Sequence, residues 1–428
     1  MFSGYRRCAG IVAAAALALT AAACGGGGSG DAGVPAATEA AATVVVGPIT
    51  GFGSVIVNGI RFDDSASQVT DDGGEQLPGG REALRLGMMV EVHGSIGADP
   101  GLGVATRIAV RGELQGPIDS VDAAGGTLQV FGVTVRTTAA TLFAGIDGLV
   151  ALRAGDLVEV HGFRDPVTGV ITATRIELRP IGPAVRLMVR GIVQDLRPEQ
   201  QTFLLAVGER NVLVDYSQAR VQPSASALFE GAWVKVVSSQ LPDADVIRAD
   251  RVQVNGPRHI DDRAMVEIEG YADQVSDDGL QFEIDGIPID ASAANFVRGR
   301  PSDVASGRLL EVKGRWQDGV LIAQIVKFED VSGGPVGGGP GAGVGPGAGG
   351  GVGPGGMFDH GEGEFEVTGM ISGFVSMADF VVRGTRIDAS SATFERGTAS
   401  GLGEGVRLEI KGMAGHGGVI ATRIRFED

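Results

Sequence analysis

The sequence predicts an all-β protein, a tandem array of about five small OB-like five-stranded β-barrels with an N-terminal signal peptide and a Gly-rich linker. Three observations lead to this prediction. A strand-like segment of the type Val-Glu-Val-x-Gly recurs along the chain, each time followed by a second strand-like segment. An alternating hairpin pattern precedes each copy. The 428 residues include 71 glycines, far above average usage, which requires many turns.

The recurring pair of segments is the clearest signal. The first member begins at Val90, Val158, Val234, Leu310 and Leu408. The second member follows 15, 15, 15, 13 and 13 residues later, at Ala105, Ala173, Ala249, Ala323 and Ala421. Self-similarity at a nearly fixed spacing indicates repeated structural units, which we call repeats 1 to 5.

Upstream of this pair, each repeat contains a first strand interrupted by glycine, at Gly47, Gly116, Gly191, Gly270 and Gly369. An alternating hairpin comes next, and the dipeptides Asn58–Gly59 and Asp285–Gly286 are strong signals for two-residue turns. In repeat 4 the alternation predicts one buried face, formed by Phe282, Ile284, Ile287 and Ile289.

A small polar stretch follows each hairpin and predicts a short helix or turn with a single buried phenylalanine, such as Phe296 or Phe394. Each repeat therefore consists of three strands, a short helix or turn, and two more strands. That is the order of an OB-fold, a partly open Greek-key barrel. A β-sandwich is the alternative, but it needs more strands per unit.

These patterns, V-x-G-x-x-I/V, V-E-V-x-G and I-x-A-x-x-I, resemble the bacterial repeat family catalogued as domain of unknown function 5666. The resemblance extends from about Val44 to Asp428 except for the linker. Members of that family look like exported proteins and lipoproteins with one or several copies. The resemblance implies the fold only, because the function of the family is itself unknown. Repeat 3 departs most, because Ser238 replaces the glycine of the other four copies, so its strand pair is the least clearly predicted.

The N-terminus has the layout of a secretory signal: Arg6 and Arg7 precede a short apolar run from Ile11 to Ala23. The following "LTAAAC" resembles the lipobox of bacterial lipoproteins, which predicts lipidation of Cys24 and, because Gly25 follows, favours the outer membrane. The alternative is an Ala-x-Ala cleavage site and a soluble periplasmic or secreted protein. Apart from Cys24, the only cysteine is Cys8 within the signal, which favours lipidation.

The predicted boundaries follow from these elements. They are the signal peptide 1–23, a flexible tether 24–43, repeats at 44–111, 112–182, 183–257 and 258–331, a Gly/Pro-rich linker 332–362, and repeat 5 at 363–428. From the linker we expect four repeats in a string and a fifth that hangs apart from them.

Few residues indicate chemistry. His93 and His161 lie at equivalent positions beside Glu91 and Glu159, which permits a metal or acid–base site, although Lys313 at the same position of repeat 4 favours a solvent-facing strand side. Acidic pairs occur at 63–64, 71–72, 261–262 and 277–278 without the spacing of a calcium loop, so we expect solvated turns. We predict no catalytic, metal or cofactor site.

The two tryptophans, Trp233 and Trp316, lie in "GAWVKV" and "GRWQDG". Either ring could contact a ligand such as a sugar, because the loops of OB-folds bind oligosaccharides. The competing interpretation is that each ring closes the end of a small barrel, which is the more common use of a tryptophan near a turn.

The sequence favours a non-catalytic envelope lipoprotein that serves as a multivalent binding module or structural spacer for an envelope or extracellular protein or glycan. One alternative is an enzyme with a site between repeats, which requires clustered polar residues with perturbed titration. A nucleic-acid binder is disfavoured, because the formal charge is −17 and phosphate recognition depends on cations.

Overall fold

The structure, a computed structural model, describes residues 41–180, 182, 186–208, 210–243, 246–254, 260–329, 364–415 and 417–427. Every regular element in these residues is a β-strand or a short 3₁₀ helix, which confirms the all-β prediction. The predicted signal peptide, most of the tether and the Gly-rich linker lie outside the described residues. Among the helices that the structure describes, none combines the length and apolar character that crossing a membrane requires.

Repeat 1 shows how each barrel closes. Its strands are β1 (Ala41–Phe52), β2 (Val55–Val57), β3 (Ile60–Asp63), β4 (Gln68–Asp71), β5 (Met89–Ile96) and β6 (Leu102–Val110). The first three form an antiparallel meander. The ring then closes because β3 pairs in parallel with β6, β6 with β5 and β5 with β1. This is the strand order of an OB barrel, with the short β4 added beside β6.

The other four repeats follow the same order. Repeat 2 contains β7 (Leu114–Asp122), β8 (Thr127–Val130), β9 (Val133–Arg136), β10 (Leu142–Ala144), β11 (Leu157–Arg164) and β12 (Ile171–Arg179). Repeat 3 contains β13 (Leu187–Arg197), β14 (Thr202–Val207), β15 (Arg210–Asp215), β16 (Arg220–Gln222), β17 (Trp233–Ser238), β18 (Val246–Arg248) and β19 (Arg251–Val254).

Repeat 4 contains β20 (Met265–Asp273), β21 (Gln281–Ile284), β22 (Ile287–Asp290), β23 (Asn295–Val297), β24 (Leu309–Gln317) and β25 (Val320–Phe328). Repeat 5 contains β26 (Glu364–Ser376), β27 (Asp379–Val382), β28 (Thr385–Asp388), β29 (Thr393–Glu395), β30 (Arg407–Gly415) and β31 (Gly418–Phe426). The prediction of five OB-like barrels is therefore confirmed. β1 begins at Ala41, inside the segment predicted as tether.

The predicted hairpins form as expected. In repeat 4 the side chains of Phe282, Ile284, Ile287 and Ile289 are all at most 3% exposed. The turn between β21 and β22 has positive φ at Asp285 and Gly286, and the turn after β2 repeats this at Asn58 and Gly59. Both residues of a type I′ turn need positive φ, which is why Asx-Gly dipeptides stand there.

The predicted short helix lies elsewhere than expected. The stretches that contain Phe296 and Phe394 form the short strands β23 and β29, and both rings are half-buried. The 3₁₀ helices come after the short strands, at Gly80–Ala83, Leu149–Ala151, Ala225–Ala227, Pro301–Asp303 and Ala399–Gly401. Phe296 instead packs beside Phe328 and Phe394 beside Phe426, with ring centroids 6.5 Å apart in each pair.

The glycine of the Val-Glu-Val-x-Gly segment has a structural reason. In four repeats the last two strands form a hairpin with a β-bulge at this glycine. A Cβ atom there would lie 2.0 to 2.3 Å from a backbone carbonyl oxygen of the facing strand, at Gly94, Gly162, Gly314 and Gly412. Such a distance is far below van der Waals contact, so the bulge requires glycine.

Repeat 3 lacks this bulge. β17 ends at Ser238, the next strand begins only at Val246, and β17 pairs without a register shift with β19. The final strand is thereby divided into β18 and β19, which pair with different neighbours. The departure of repeat 3 that Ser238 indicated is thus seen in the structure as a broken hairpin.

The repeats do not form a string. β1 pairs in parallel with β20 of repeat 4 and, further along, with β26 of repeat 5. Repeats 1 and 5 share one apolar core, and repeats 2 and 3 share another. All described repeats belong to one compact unit. The expectation that repeat 5 hangs apart is therefore wrong, because a sequence repeat does not record which strand edges pair with one another.

We predict that Gly94→Ala lowers the free energy of unfolding by about 1–3 kcal/mol, because the new methyl group forces the two strands of the hairpin apart. Gly97→Ala is the matched control in the same hairpin, since nothing lies within 4 Å of its Cβ position and its φ is not positive. Urea unfolding measures both. Equal stability of the two variants would contradict the steric role of the bulge.

Candidate functional site

The two equivalent histidines occupy different surroundings. His93 is half-buried, and its Nε2 lies 2.7 Å from Glu91 Oε1 and 2.6 Å from an Arg107 guanidinium nitrogen. His93 and Arg107 line a cleft of about 390 Å³ between repeats 1 and 4. His161 is only 1% exposed, and its Nδ1 lies 3.3 Å from the backbone oxygen of Arg111 in repeat 1. The expected solvent-facing side is therefore wrong for His161, which repeat 1 covers.

The described residues contain no group of three or more His, Cys, Asp or Glu side chains that could hold a metal ion. Each histidine instead binds the glutamate two positions earlier on its own strand, and the His161–Glu159 distance is 3.2 Å. The hydrogen bond and charge of His161, together with Arg179, outweigh burial and lower the pKa of the Glu159 carboxyl. This geometry indicates a structural ion pair within repeat 2, at the strand face that repeat 1 covers.

The tryptophans differ in exposure. Trp316 is 8% exposed and packs in the core of repeat 4, where its backbone N–H donates to Ala264. Trp233 is half-buried, with the Arg164 guanidinium carbon 5.8 Å from its ring centroid. Ligand contact by either ring stays a prediction. The surroundings of Trp316 match the competing interpretation, in which the ring fills the barrel.

Two of the acidic pairs are not solvated turns. Asp64 is 5% exposed and accepts a hydrogen bond of 3.0 Å from Arg81. Asp71 and Asp72, at the end of β4, reach into repeat 3 and bind cations there. The expectation of solvated turns is wrong at these positions, because the loop after β4 folds back onto Asp64 and repeat 3 covers Asp71 and Asp72, and neither contact is visible in the sequence.

The contact between repeats 1 and 3 is a cluster of charges. Asp72 binds the ammonium of Lys235 and, at 2.6 Å, the guanidinium of Arg190. Asp71 accepts a 2.5 Å hydrogen bond from Arg251, whose second terminal nitrogen lies 3.1 Å from Glu75. Lys235 is fully buried, and Arg190 and Arg251 are each 6% exposed on the side chain. These ion pairs fix the loop of repeat 1 against the barrel of repeat 3.

Burial shifts the titration of this cluster. It lowers the pKa of Lys235 to about 7, with the positive charge of Arg251 acting in the same direction and Asp71 opposing it. For Asp71, burial alone would raise the pKa, but the hydrogen bonds from Arg251 and the Glu75 backbone hold it below its ordinary value. The charged form of Asp71 is thus stabilised by its partners.

A cleft of about 480 Å³ lies at this contact. Repeat 1 contributes one wall from the loop after β4, and repeat 3 contributes the other from the region of its broken hairpin. The lining residues are Asp71, Glu75, Gln76, Leu77, Pro78, Arg186, Arg220, Val237, Ser238, Ser239, Asp250 and Arg251. We call this the 1–3 cleft. It contains three arginines and three carboxylates.

Both walls are places where a repeat departs from the common pattern. The connection between β4 and β5 spans 72–88, whereas the corresponding connections in the other repeats are shorter, at 145–156, 223–232, 298–308 and 396–406. The opposite wall contains Ser238, at the position where the other four repeats have the bulge glycine. Two independent departures thus meet at one cleft, which makes it the best candidate for a function that the shared barrel does not supply.

Sequence reasoning missed the basic side of this cleft. Arg186, Arg220 and Arg251 stand in no motif, and only the structure brings them together. Two signals were present in the sequence: the long loop after β4 and the serine at 238. The loop length could have been compared among the five copies without any structure.

A second charged cluster covers one face of repeat 4. Burial raises the pKa of Glu269 to about 8, and the charges of Glu311 and Glu329 raise it further. Burial also raises the pKa of Glu267 to about 7, although Lys313 lies 3.0 Å away and opposes the shift. Lys327 binds Glu329 at 2.6 Å and Glu311 at 3.2 Å. Carboxylates outnumber cations on this face, so protonation relieves their repulsion.

Comparison with known proteins identifies a family for four segments of the chain. The family described as "Domain of unknown function (DUF5666)" matches residues 45–109, 115–177, 269–327 and 368–425, more than half of the chain. None of these ranges lies in repeat 3. No curated protein matches the chain. The solved structure "drosophila Unr CSD456" is 14% identical over 51% of this chain and 97% of its own, with a TM-score of 0.14, which is too low to bear on fold or function.

We predict that Asp72→Asn lowers the free energy of unfolding by about 3 kcal/mol, because it leaves the buried cations Lys235 and Arg190 without their carboxylate. Asp277→Asn, at an exposed position in another acidic pair, is the control and should change stability by less than about 0.5 kcal/mol. Thermal or urea unfolding gives both values. A loss no larger than that of the control would show that the charge cluster does not hold the repeats together.

We predict that Glu269→Gln stabilises the protein at high pH only. Between pH 4.5 and about 8 the folded state retains a proton on Glu269 that the unfolded state has released, so stability falls as the pH rises through this range. The glutamine variant lacks this loss and should exceed the wild type by roughly 1–3 kcal/mol above pH 8, with no difference below pH 4.5. Urea unfolding across this range checks the sign, and parallel curves for the two proteins would refute it.

Proposed function

We propose that this chain, which belongs to the DUF5666 family, is a non-catalytic binding protein of the cell envelope. The family is described as a domain of unknown function, so membership supplies no activity. The observation that carries the proposal is the 1–3 cleft, where two departures from the repeat pattern create a cavity of about 480 Å³. This volume is within the range typical of small-molecule sites.

The chemistry of the lining supports binding. Its polar groups are guanidinium, carboxylate, amide and hydroxyl groups from Arg220, Glu75, Gln76 and Ser239 among others. These groups form hydrogen bonds and ion pairs in fixed directions, which gives specificity without a chemical step. The ligand we propose is an envelope or extracellular protein segment or glycan.

The compact packing of the repeats favours binding at one site over multivalent binding by independent repeats. Independent repeats on flexible linkers would gain avidity by binding several copies of a partner at once. The repeats share cores and strand edges, so five freely moving modules are not what the described chain presents. We therefore place the binding function in one cleft and assign the remaining repeats a scaffold role.

An enzyme with a site between repeats is the second candidate, since the 1–3 contact clusters polar residues and lowers the pKa of Lys235 to about 7. A lysine with such a pKa can act as a nucleophile or base. Lys235, however, is 0% exposed, binds Asp72, and is not among the residues that line the cleft. Its position favours a structural role over a catalytic one.

The experiment that tests the proposal uses the protein as bait against solubilised envelope fractions, with captured proteins and glycans both identified. The matched variants are Ser239→Trp, which fills the cleft, and Gln218→Trp, an exposed residue of the same repeat outside the lining. Capture that Ser239→Trp abolishes and Gln218→Trp preserves would support the cleft as the binding site. Capture that both variants preserve, or no capture, would refute it.

We also propose that Cys24 is lipidated and anchors the protein, favouring the outer membrane over a soluble periplasmic or secreted form. We predict that Cys24→Ser moves the protein from the membrane fraction to the soluble fraction and removes incorporation of labelled fatty acid, because a serine offers no thiol for the diacylglycerol. Cys8→Ser, within the predicted signal peptide, is the control and should leave both readouts unchanged. Membrane association that survives Cys24→Ser would contradict the proposal.

A further inference from the structure

Two of the three arginines of the 1–3 cleft, Arg186 and Arg220, form only long ion pairs within the protein. The nearest guanidinium nitrogen of Arg186 lies 3.6 Å from Asp71, and that of Arg220 lies 3.7 Å from Glu75. Both distances exceed those of charge-assisted hydrogen bonds, which are about 2.7–2.9 Å. The side chains are 40% and 68% exposed. Two guanidinium groups at the mouth of the cleft are therefore available to a ligand.

Arg251 lies deeper in the same cleft and is better fixed. Its side chain is only 6% exposed, and one terminal nitrogen donates to Asp71. Its Nε has no hydrogen-bond acceptor among the described residues. A buried donor without an acceptor is costly, and an anionic oxygen is the acceptor that suits a guanidinium best. Arg251 thus provides a second, independent indication of an anionic ligand.

Further cations near the cleft also favour an anionic ligand. Behind the lining, Lys235 and Arg190 add two buried cations, whose close carboxylate partner is Asp72. Arg251 adds a third cation, and its positive charge acts with burial to lower the pKa of Lys235. Within a chain of formal charge −17, this is a local concentration of cations.

The other side chains of the cleft suit hydroxyl groups. Glu75 and Asp250 provide carboxylate oxygens that accept hydrogen bonds, while Gln76 and Ser239 both donate and accept. Glu75 is 57% exposed, so its oxygens reach solvent at the mouth. A ligand with one acidic group and several hydroxyl groups would satisfy both kinds of partner.

We propose that the 1–3 cleft binds an anionic saccharide, whose carboxylate or phosphate contacts Arg186, Arg220 and Arg251 and whose hydroxyl groups contact Glu75 and Asp250. This inference rests on the proposed binding function and specifies its ligand class. A planar guanidinium pairs in bidentate fashion with either acid group, so the two acids are distinguished by experiment.

The test is isothermal titration calorimetry on the full chain with three probes of similar size: a hexuronic acid oligosaccharide, an oligosaccharide phosphate and a neutral oligosaccharide. We expect one or both acidic probes to bind and the neutral probe to bind at least about tenfold more weakly. The double variant Arg186→Gln/Arg220→Gln should weaken binding of the acidic probe by about tenfold or more. Higher salt should weaken it as well.

Arg248→Gln is the matched control, because Arg248 is exposed on β18 of the same repeat and does not line the cleft. It should leave affinity unchanged within about twofold. The preferred acidic probe identifies the acid group. No binding of either acidic probe, equal binding of the neutral probe, or equal loss in Arg248→Gln would overturn the inference. If envelope capture still depended on the cleft, the proposed binding function would stand and only the ligand class would be refuted.

Discussion

Strand β1 is the element on which the assembly depends, because it forms hydrogen bonds along both edges. Along Thr43–Val46 it pairs with β5 of repeat 1 on one edge and with β20 of repeat 4 on the other. Further along it pairs with β2 of repeat 1 and with β26 of repeat 5. Its side chains alternate between two cores: Val44 and Val46 pack with repeat 4, and Val45 packs with repeats 1 and 5. A strand buried on both faces needs a continuous apolar run, which is what Val44–Val46 provides.

The barrel itself could be predicted from the sequence because its determinants are local. Alternation fixes the buried face of β21 and β22, an Asx-Gly pair fixes their turn, and one glycine permits the bulge of the final hairpin in four repeats. Each of these acts within a few residues of chain and recurs in several copies. The short helix was misplaced because a brief polar stretch with one phenylalanine, such as that around Phe296, fits a helical turn and a short strand equally well.

The assembly and the cleft could not be predicted in the same way, because they depend on contacts between residues far apart in sequence. His93 and His161 hold the same position in their repeats, yet one is half-buried and the other is 1% exposed. Periodicity identifies the strand face that points away from a repeat's own core. It does not identify whether water or another repeat covers that face.

A departure from the repeat pattern has a cost in stability for the repeat in which it occurs. In repeat 3, serine at 238 replaces the bulge glycine and the hairpin that the other repeats complete is interrupted. In repeat 1, the long loop after β4 loses conformational entropy when it is ordered, although the barrel does not need its extra residues. Both costs are offset at the same contact, where Asp71 and Asp72 bind Arg251, Arg190 and Lys235. The barrels are therefore held by apolar burial, whereas the walls of the cleft are held by charges, and only the second kind of interaction also suits a polar ligand.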